Sequence, residues 1–398
     1  MSPSILLVDD EPFQLKLLAR QLVNLGQNSV ETCTSGQEAL GMLDAQPTTR
    51  WLIFLDLNMP DMDGVKFIRQ LVARSYRGAL VLFSGEDERI LEMAVRLGQA
   101  HQLMMLGHLH KPIQPEVLQI LLGRWSEQMS EMVQEIPRTY GAAAVQRAIA
   151  NGELVNYYQP KVEVATGAFV GVETLVRWQH PDDGLVFPDR FISVAETHGL
   201  IDALTRVVLI EALAQARCWR DAGLALRVAV NVSMDNLLQL DFADFVLDQL
   251  VDAGIAAQDL ILEVTESRLM TDLRIPLDVL TRLRLKHISL SIDDFGTGHS
   301  SLAQLRDIAF SELKIDRGFV HNANQDNTKH AIFSASLGIA RQLEMKAVAE
   351  GVEDRADWEF LRQQDCDLAQ GYFVAKAMPA AELPCWLLEW TGRYAALR

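Results

Sequence analysis

The chain is 398 residues long with 49% apolar residues, enough for two or three domains at about 150 residues each, each with its own core. Its 53 acidic and 36 basic residues leave a formal net charge of -17, which argues against a nucleic-acid polymer as its main partner. Cys33, Cys218, Cys366 and Cys385 form no CxxC spacing, and no basic leader or apolar run of ~18 residues appears, so the expectation is a reduced, cytoplasmic protein with no membrane partner.

Over residues 1–122, short apolar runs at 5–8 (ILLV), 52–55 (LIFL), 80–83 (LVLF) and 103–106 (LMML) alternate with helical patterns, one of them running through Leu22. That rhythm predicts an α/β fold, a doubly wound parallel sheet of the flavodoxin-like kind. Asp9 and Asp10 close the first strand, Asp56 the third and Ser84 the fourth, while Lys111 follows the fifth. Such strand ends share one crevice, where crowded carboxylates favour a hard divalent cation and one aspartate can act as nucleophile. Helix capping would account for Asp10 or Asp61 alone, but not for the whole set. VDDEPF, DLNMPDMDG, SG and KP resemble the receiver domain of bacterial response regulators. The resemblance implies that Asp56 accepts a phosphoryl group from a cognate histidine kinase. It also implies that Asp9 and Asp10 help hold Mg2+, and that Ser84 and Lys111 contact the phosphoryl oxygens. His108 stands where that family usually carries a switch aromatic, and it is read as a surface residue with no site role.

Residues 123–138, with SEQMSEMVQEI at their centre, are polar with isolated apolar positions and predict a helical connector.

From 139 to 398, which carries 36 acids and 24 bases, the alternation continues on a larger scale. The runs FVGVETLV, LRVAVNVS, LILEVTES, ISLSIDDF, ELKID, KAVAEGVE and QGYFVAK, separated by helix-length segments, predict a TIM-type (β/α) barrel. In each run the apolar part is read as coming first and a polar group last: Glu173, Asn231, Glu263, Asp293, Lys314 and Glu350. Barrel strands converge at their C-terminal ends, so these groups should meet at one mouth. Oxygen donors without a convergent His or Cys set suit Mg2+ or Mn2+ better than zinc, and the adjacent Asp293 and Asp294 could serve two ions. Two such ions activate water for phosphodiester hydrolysis. Lys314 would steady the attacking water or developing charge, and Arg177 would clamp a phosphate. Singly, each motif has a plainer explanation: a rim salt bridge from Glu173 to Arg177, a pairing of Lys314 with Asp316, or a glycine turn at DDFGTG. Their joint order is what points to a site.

YQPKV, ETLVRWQHP, FISVAETHGLI, NVS, EVTES, DDFGTGHSSL, LKIDRGFV, AEGVE and QGYFVAKAM, over about 139–380, resemble the EAL-domain cyclic di-GMP phosphodiesterases. The resemblance implies a modified barrel whose first strand runs against the others, and metal-dependent opening of cyclic di-GMP to linear pGpG. Position by position it implies metal ligands at Glu173, Asn231, Glu263 and Asp293, with Asp294 and Glu350 serving a second metal. Lys314 and Glu350 would be catalytic. Gln159, Arg177, Glu353 and Gln370 would bind substrate, and Glu266 would position the DDFGTG loop. Two departures, ETL for EAL and His299 where tyrosine is common, remove no ligand. The expected function is therefore a phosphodiesterase regulated by phosphorylation of Asp56, and the resemblance implies a homo-oligomer. The competing readings are a non-catalytic cyclic di-GMP receptor or protein-docking response regulator, and a DNA-binding regulator, which the acidic second part disfavours.

Overall fold

The computed structural model describes residues 4–46, 49–74, 76–134, 140–265, 274–296 and 302–397. The chain divides into two compact units, Met1–Arg138 and Thr139–Arg398. The helix Pro115–Gln134 is the last described helix of the first unit and enters the segment expected as a connector.

In the first unit, β1 (Ser4–Val8), β2 (Val30–Cys33), β3 (Trp51–Asp56), β4 (Ala79–Ser84) and β5 (Met104–His110) form a parallel sheet in the order β2-β1-β3-β4-β5. This is the flavodoxin-like order, with its crevice at the C-terminal ends of β1 and β3. Alternate residues feed two cores. Leu6, Val8, Ile53 and Leu55 pack with Leu40 and Phe67 on one side, and Ile5, Leu7, Leu52 and Phe54 with Leu15 and Leu22 on the other. Burial on both faces is why β1, β3 and β4 read as unbroken apolar runs. β2 has no such run: VETC lies at the sheet edge, and Glu31 and Thr32 are exposed. The fifth strand begins one residue later than the LMML run and continues through the polar GHLH.

The second unit contains β6 (Leu154–Glu163), β7 (Phe169–His180), β8 (Gly184–Val186), β9 (Arg227–Val232), β10 (Leu260–Thr265), β11 (Ser289–Phe295), β12 (Glu312–Ile315), β13 (Lys346–Ala349), β14 (Leu368–Ala369) and β15 (Met378–Pro379). The ring β6-β7-β9-β10-β11-β12-β13-β14 closes through β14 to β6, and β6 is antiparallel to both its neighbours. This is the modified barrel that the resemblance implied. Val230, Val232, Leu262, Val264, Leu313 and Ile315 join the apolar cluster that includes Leu204, Val208 and Leu213 of the surrounding helix Ile201–Asp221. Side chains alternate along a strand, so the residues between these apolar ones point into the barrel.

Two expectations need correction. QGYFVAK is not a strand: β14 ends at Ala369, and the run after it forms turns that carry Gln370 to the mouth. Turn hydrogen bonds from Val374 N and Ala375 N to Gly371 O, at 3.0 and 2.9 Å, replace the ladder. Glu173 does not end its strand either. β7 runs on to His180 because it also pairs with β6 and β8 beyond the barrel rim.

Candidate functional site

Six strand-borne groups and two residues just past strand ends, Glu350 and Gln370, meet in the barrel. The Lys314 ammonium, 1% exposed, lies 2.7 Å from Glu263 Oε2, 2.9 Å from Asp293 Oδ1, 2.7 Å from Glu350 Oε1 and 3.3 Å from Glu173 Oε2. Asn231, in register with Glu263, donates its amide to Glu173 Oε1 at 2.9 Å. Gln370 donates to Glu173 Oε2 at 2.6 Å and to Gln159 Oε1 at 2.9 Å, and Gln159 in turn donates to Ala375 O at 3.0 Å. The rim salt bridge considered for Glu173 is not its arrangement: Glu173 pairs with Lys314, and Asp316 caps the helix Arg317–Val320.

Consecutive residues of a regular strand face opposite ways, so Asp293 and Asp294 should not share a site. A register shift between Ile292 and Phe295 and a φ of 54° at Asp294 break that rule. The bulge brings carboxylate oxygens of Asp293, Asp294 and Glu350 within 4.8 Å of one another. Aspartate tolerates the left-handed backbone better than most side chains.

Burial pushes up the pKa of Glu173, Glu263, Asp294 and Glu350, and the neighbours decide the rest. At Glu173, Lys314 and the amides of Asn231 and Gln370 outweigh burial and bring the pKa down to about 2. At Glu263 burial and the Glu173 charge prevail, to about 7. Glu350 is raised to about 8 by burial, with Asp293 and Glu173 adding to it against Lys314. Burial and Asp293 lift Asp294 to about 6. Burial would discharge Lys314, but Asp293, Glu173, Glu263 and Glu350 overcome it and hold its pKa well above the ordinary lysine value. Lys314, with Lys161 reaching only Glu263 among them, does not balance this many carboxylates, so the metal-free cluster favours keeping protons. The donors are all oxygen or amide, which fits a hard divalent ion. Gln370 Oε1 is buried and accepts no hydrogen bond among the described residues, so it can accept one from a bound water or ligand.

A cavity of about 200 Å3 opens above this cluster, lined by Gln159, Glu173, Glu350, Glu353, Gln370 and Tyr372, among others. Glu353 is held there by Arg317 and by its own N–H, which donates to Asp357 at 3.0 Å. Gly371 has φ +153°, and a Cβ there would lie 2.2 Å from Val352 N, so only glycine lets the loops bearing Gln370 and Glu353 touch. Arg177 sits further along β7, its guanidinium 4.9 Å from the Phe187 ring centre and 5.5 Å from that of Tyr157. Glu266 and His299 lie outside the described residues.

Sequence reasoning passed over Lys161, Glu312, Arg227 and Arg317. The first two had a signal. Lys161 lies two residues from Gln159, and Glu312 two from Lys314, so period-two alternation puts each pair on one face of its strand. Lys161 Nζ is 3.4 Å from Glu263 Oε1 and 3.1 Å from Glu312 Oε2.

In the first unit, Lys111 Nζ is 2.8 Å from Asp9 Oδ2 and 3.0 Å from Asp56 Oδ1. Asp9, Asp10 and Asp56 bring carboxylate oxygens within 4.8 Å of one another, which also suits a hard cation. Burial raises the pKa of Asp56 in spite of Lys111. Ser84 is buried at the end of β4, with its hydroxyl accepting from Glu86 N at 3.3 Å. His108 lies in β5, with Nε2 3.9 Å from Glu88 Oε1.

The EAL domain family matches residues 142–377 and the response regulator receiver domain family residues 5–122. The cyclic di-GMP phosphodiesterase RocR of Pseudomonas aeruginosa is 31% identical over 378 residues, which cover 94% of this chain and 96% of that protein. NbdA, a cyclic di-GMP phosphodiesterase of the same organism, is 43% identical over 240 residues, 60% of this chain but only 31% of its own length. The structure of the PaMucR phosphodiesterase in complex with c-di-GMP matches 60% of this chain and 97% of that one, with 42% identity and a TM-score of 0.57. EAL domains generally depend on a divalent metal, in keeping with the oxygen-rich mouth. By fold, site and family match, the chain belongs to the EAL domain family and joins its EAL domain to a response regulator receiver domain.

Proposed function

We propose that the chain hydrolyses cyclic di-GMP to linear pGpG at the barrel mouth, and that phosphorylation of Asp56 regulates the rate. The observation that carries the reading is the convergence of Glu173, Glu263, Asp293 and Glu350, from separate strands, on the buried ammonium of Lys314. Glu173, Asn231, Glu263 and Asp293 would hold one divalent ion, Mg2+ or Mn2+, and Asp294 and Glu350 a second. Such ions, when bound, lower the pKa of water and neutralise charge on a phosphodiester.

The chain's own residues do the rest. Lys314 stays charged, so it donates to the attacking oxygen and to negative charge as it develops. Glu350, 2.7 Å from Lys314, is placed to exchange a proton with that ammonium or with a water beside it. Gln159 and Gln370 offer amide groups to the ligand, and Glu353 a carboxylate for a donor group. Arg177, its guanidinium packed near the Tyr157 and Phe187 rings, would add positive charge toward a phosphate, as Arg317 does at the cavity itself. Incubating the protein with cyclic di-GMP and Mn2+ should yield pGpG, and Glu173→Ala should not. Ligand retained by the wild type with no pGpG formed would favour a receptor instead.

In the receiver domain, Asp9 and Asp10 would hold Mg2+ beside Asp56, with Ser84 and Lys111 placed for the phosphoryl oxygens. A histidine kinase is the proposed phosphodonor, and a homo-oligomer the proposed assembly, organised as residues 1–122, a connector over 123–138 and a barrel over 139–398. Among the described residues no helix is long and apolar enough to cross a membrane. Phosphorylation alters charge and bonding in a crevice able to adopt two states. Wild type treated with a small phosphodonor should therefore hydrolyse cyclic di-GMP at a rate different from identically treated Asp56→Ala. Identical kinetics would reject the coupling.

A further inference from the structure

TIM-type barrels usually fill their interior with branched apolar side chains. Beneath the mouth of this one the filling is charged. Lys161 is 2% exposed and Glu312 1% exposed, and each belongs to one strand of the ring. Gly171, opposite Lys161 in the β6–β7 register, brings no side chain to this layer. The contacts form a ladder of alternating sign: Lys314 to Glu263, Glu263 to Lys161, Lys161 to Glu312, and Glu312 to Arg227 Nη1 at 3.1 Å. Arg227 also donates to Ser289 Oγ at 2.7 Å, and its side chain is 36% exposed.

Burying such charges costs several kcal/mol per ion before any pairing, and apolar replacements of similar volume are often neutral or stabilising. Stability alone is a poor reason for Lys161. Its geometry offers a better one. Glu263 is fully buried, and its two oxygens have different partners: Oε2 faces Lys314 and, through it, Glu173, Asp293 and Glu350, while Oε1 faces Lys161. With Lys161 on Oε1 below and Lys314 on Oε2 above, the carboxylate is held in one orientation, Oε2 toward the mouth.

We propose that Lys161 is a positioning residue, which anchors Glu263 from below so that this glutamate keeps the orientation in which it receives a divalent cation. Glu312 holds Lys161 in place, and Arg227 balances Glu312. The inference rests on the reading of the mouth as a divalent-cation site. It goes further by assigning part of that site's affinity to a residue that touches neither cation nor substrate. Groups that orient a metal ligand are typically worth 10–100-fold in affinity.

The test is Mn2+ affinity of the full chain without substrate, followed by electron paramagnetic resonance of free Mn2+. It is done in an Asp56→Ala background, which removes a ligand from the first unit's site. Lys161→Met combined with Glu312→Leu removes the pair together and leaves no unbalanced charge between them, and should weaken Mn2+ binding by roughly 10-fold or more. Lys161→Arg keeps the charge but cannot keep the contact geometry, and should weaken it as well. Glu312→Gln keeps an oxygen that can accept from Lys161, so Lys161 stays on Glu263 and the variant should bind within about twofold of the background. Lys161→Arg stands in if the double variant does not fold. Unchanged affinity in the Lys161 variants would overturn the proposal, and so would an equal loss in Glu312→Gln, since any lesion in the ladder would then suffice. If the background protein itself takes up no Mn2+ at the barrel, the cation reading fails before the role of Lys161 is reached.

Discussion

Replacing Lys314 by methionine is expected to lower turnover of cyclic di-GMP by roughly 10^3-fold, as loss of a group that stabilises developing charge does at its upper range. It should also destabilise the metal-free barrel by about 3–5 kcal/mol, the usual cost of removing one partner from a buried ion pair. Both effects come from the same contacts. Lys314 is the ammonium on which Glu173, Glu263, Asp293 and Glu350 converge, and methionine fills its volume without its charge. The carboxylates left behind must protonate or repel one another. Millimolar Mn2+ should restore the stability but not the turnover, because cations can replace the lost charge while nothing replaces the donor at Nζ. Denaturant titration with and without Mn2+, alongside pGpG formation, separates the two. Turnover within tenfold of wild type in a folded variant would remove Lys314 from the chemistry.

Metal-free protein should lose stability as pH rises from 5 to 9, and divalent cations should reverse the loss. The sign follows from Glu263 and Glu350, whose folded pKa values of about 7 and about 8 lie above the ordinary 4.5. Between 4.5 and those values the folded chain binds protons that the unfolded chain has released. Their stabilising contribution is complete below 4.5 and is gone once pH passes about 8. Glu173, brought down to about 2, works the other way only below its own ordinary value. A fall in Tm of about 10 °C across this range is expected for a unit of this size. Cations need the carboxylates deprotonated, so Mn2+ binding should release protons near pH 7 and tighten as pH rises. Calorimetry in buffers of different ionisation enthalpy measures that release directly. Glu350→Gln should flatten both dependences, and an unchanged pH profile in that variant would show that the proton resides elsewhere.

The sites of chemistry were legible where a polar residue interrupts or follows an apolar run. Asp9, Asp56, Glu173, Asn231, Glu263, Asp293 and Lys314 could each be read that way, because a buried strand is written in apolar letters and an interruption stands out. The edge strand Val30–Cys33 escaped for the same reason: with one side open to water it needs no apolar run. QGYFVAK misled in the opposite direction, since its apolar residues pack beneath a turn.

By itself the amino-acid sequence determined two α/β units, the strand-end acids of each, and an oxygen-rich mouth suited to hard cations. Tertiary structure alone decided that Asp293 and Asp294 face the same way, through a bulge that pairing with β12 reveals. It also decided which oxygen of Glu263 meets Lys314 and which meets Lys161. Composition and period follow from local preference for water or core, whereas these contacts join residues 51 and 102 positions apart. They exist only once the strands have closed into a ring.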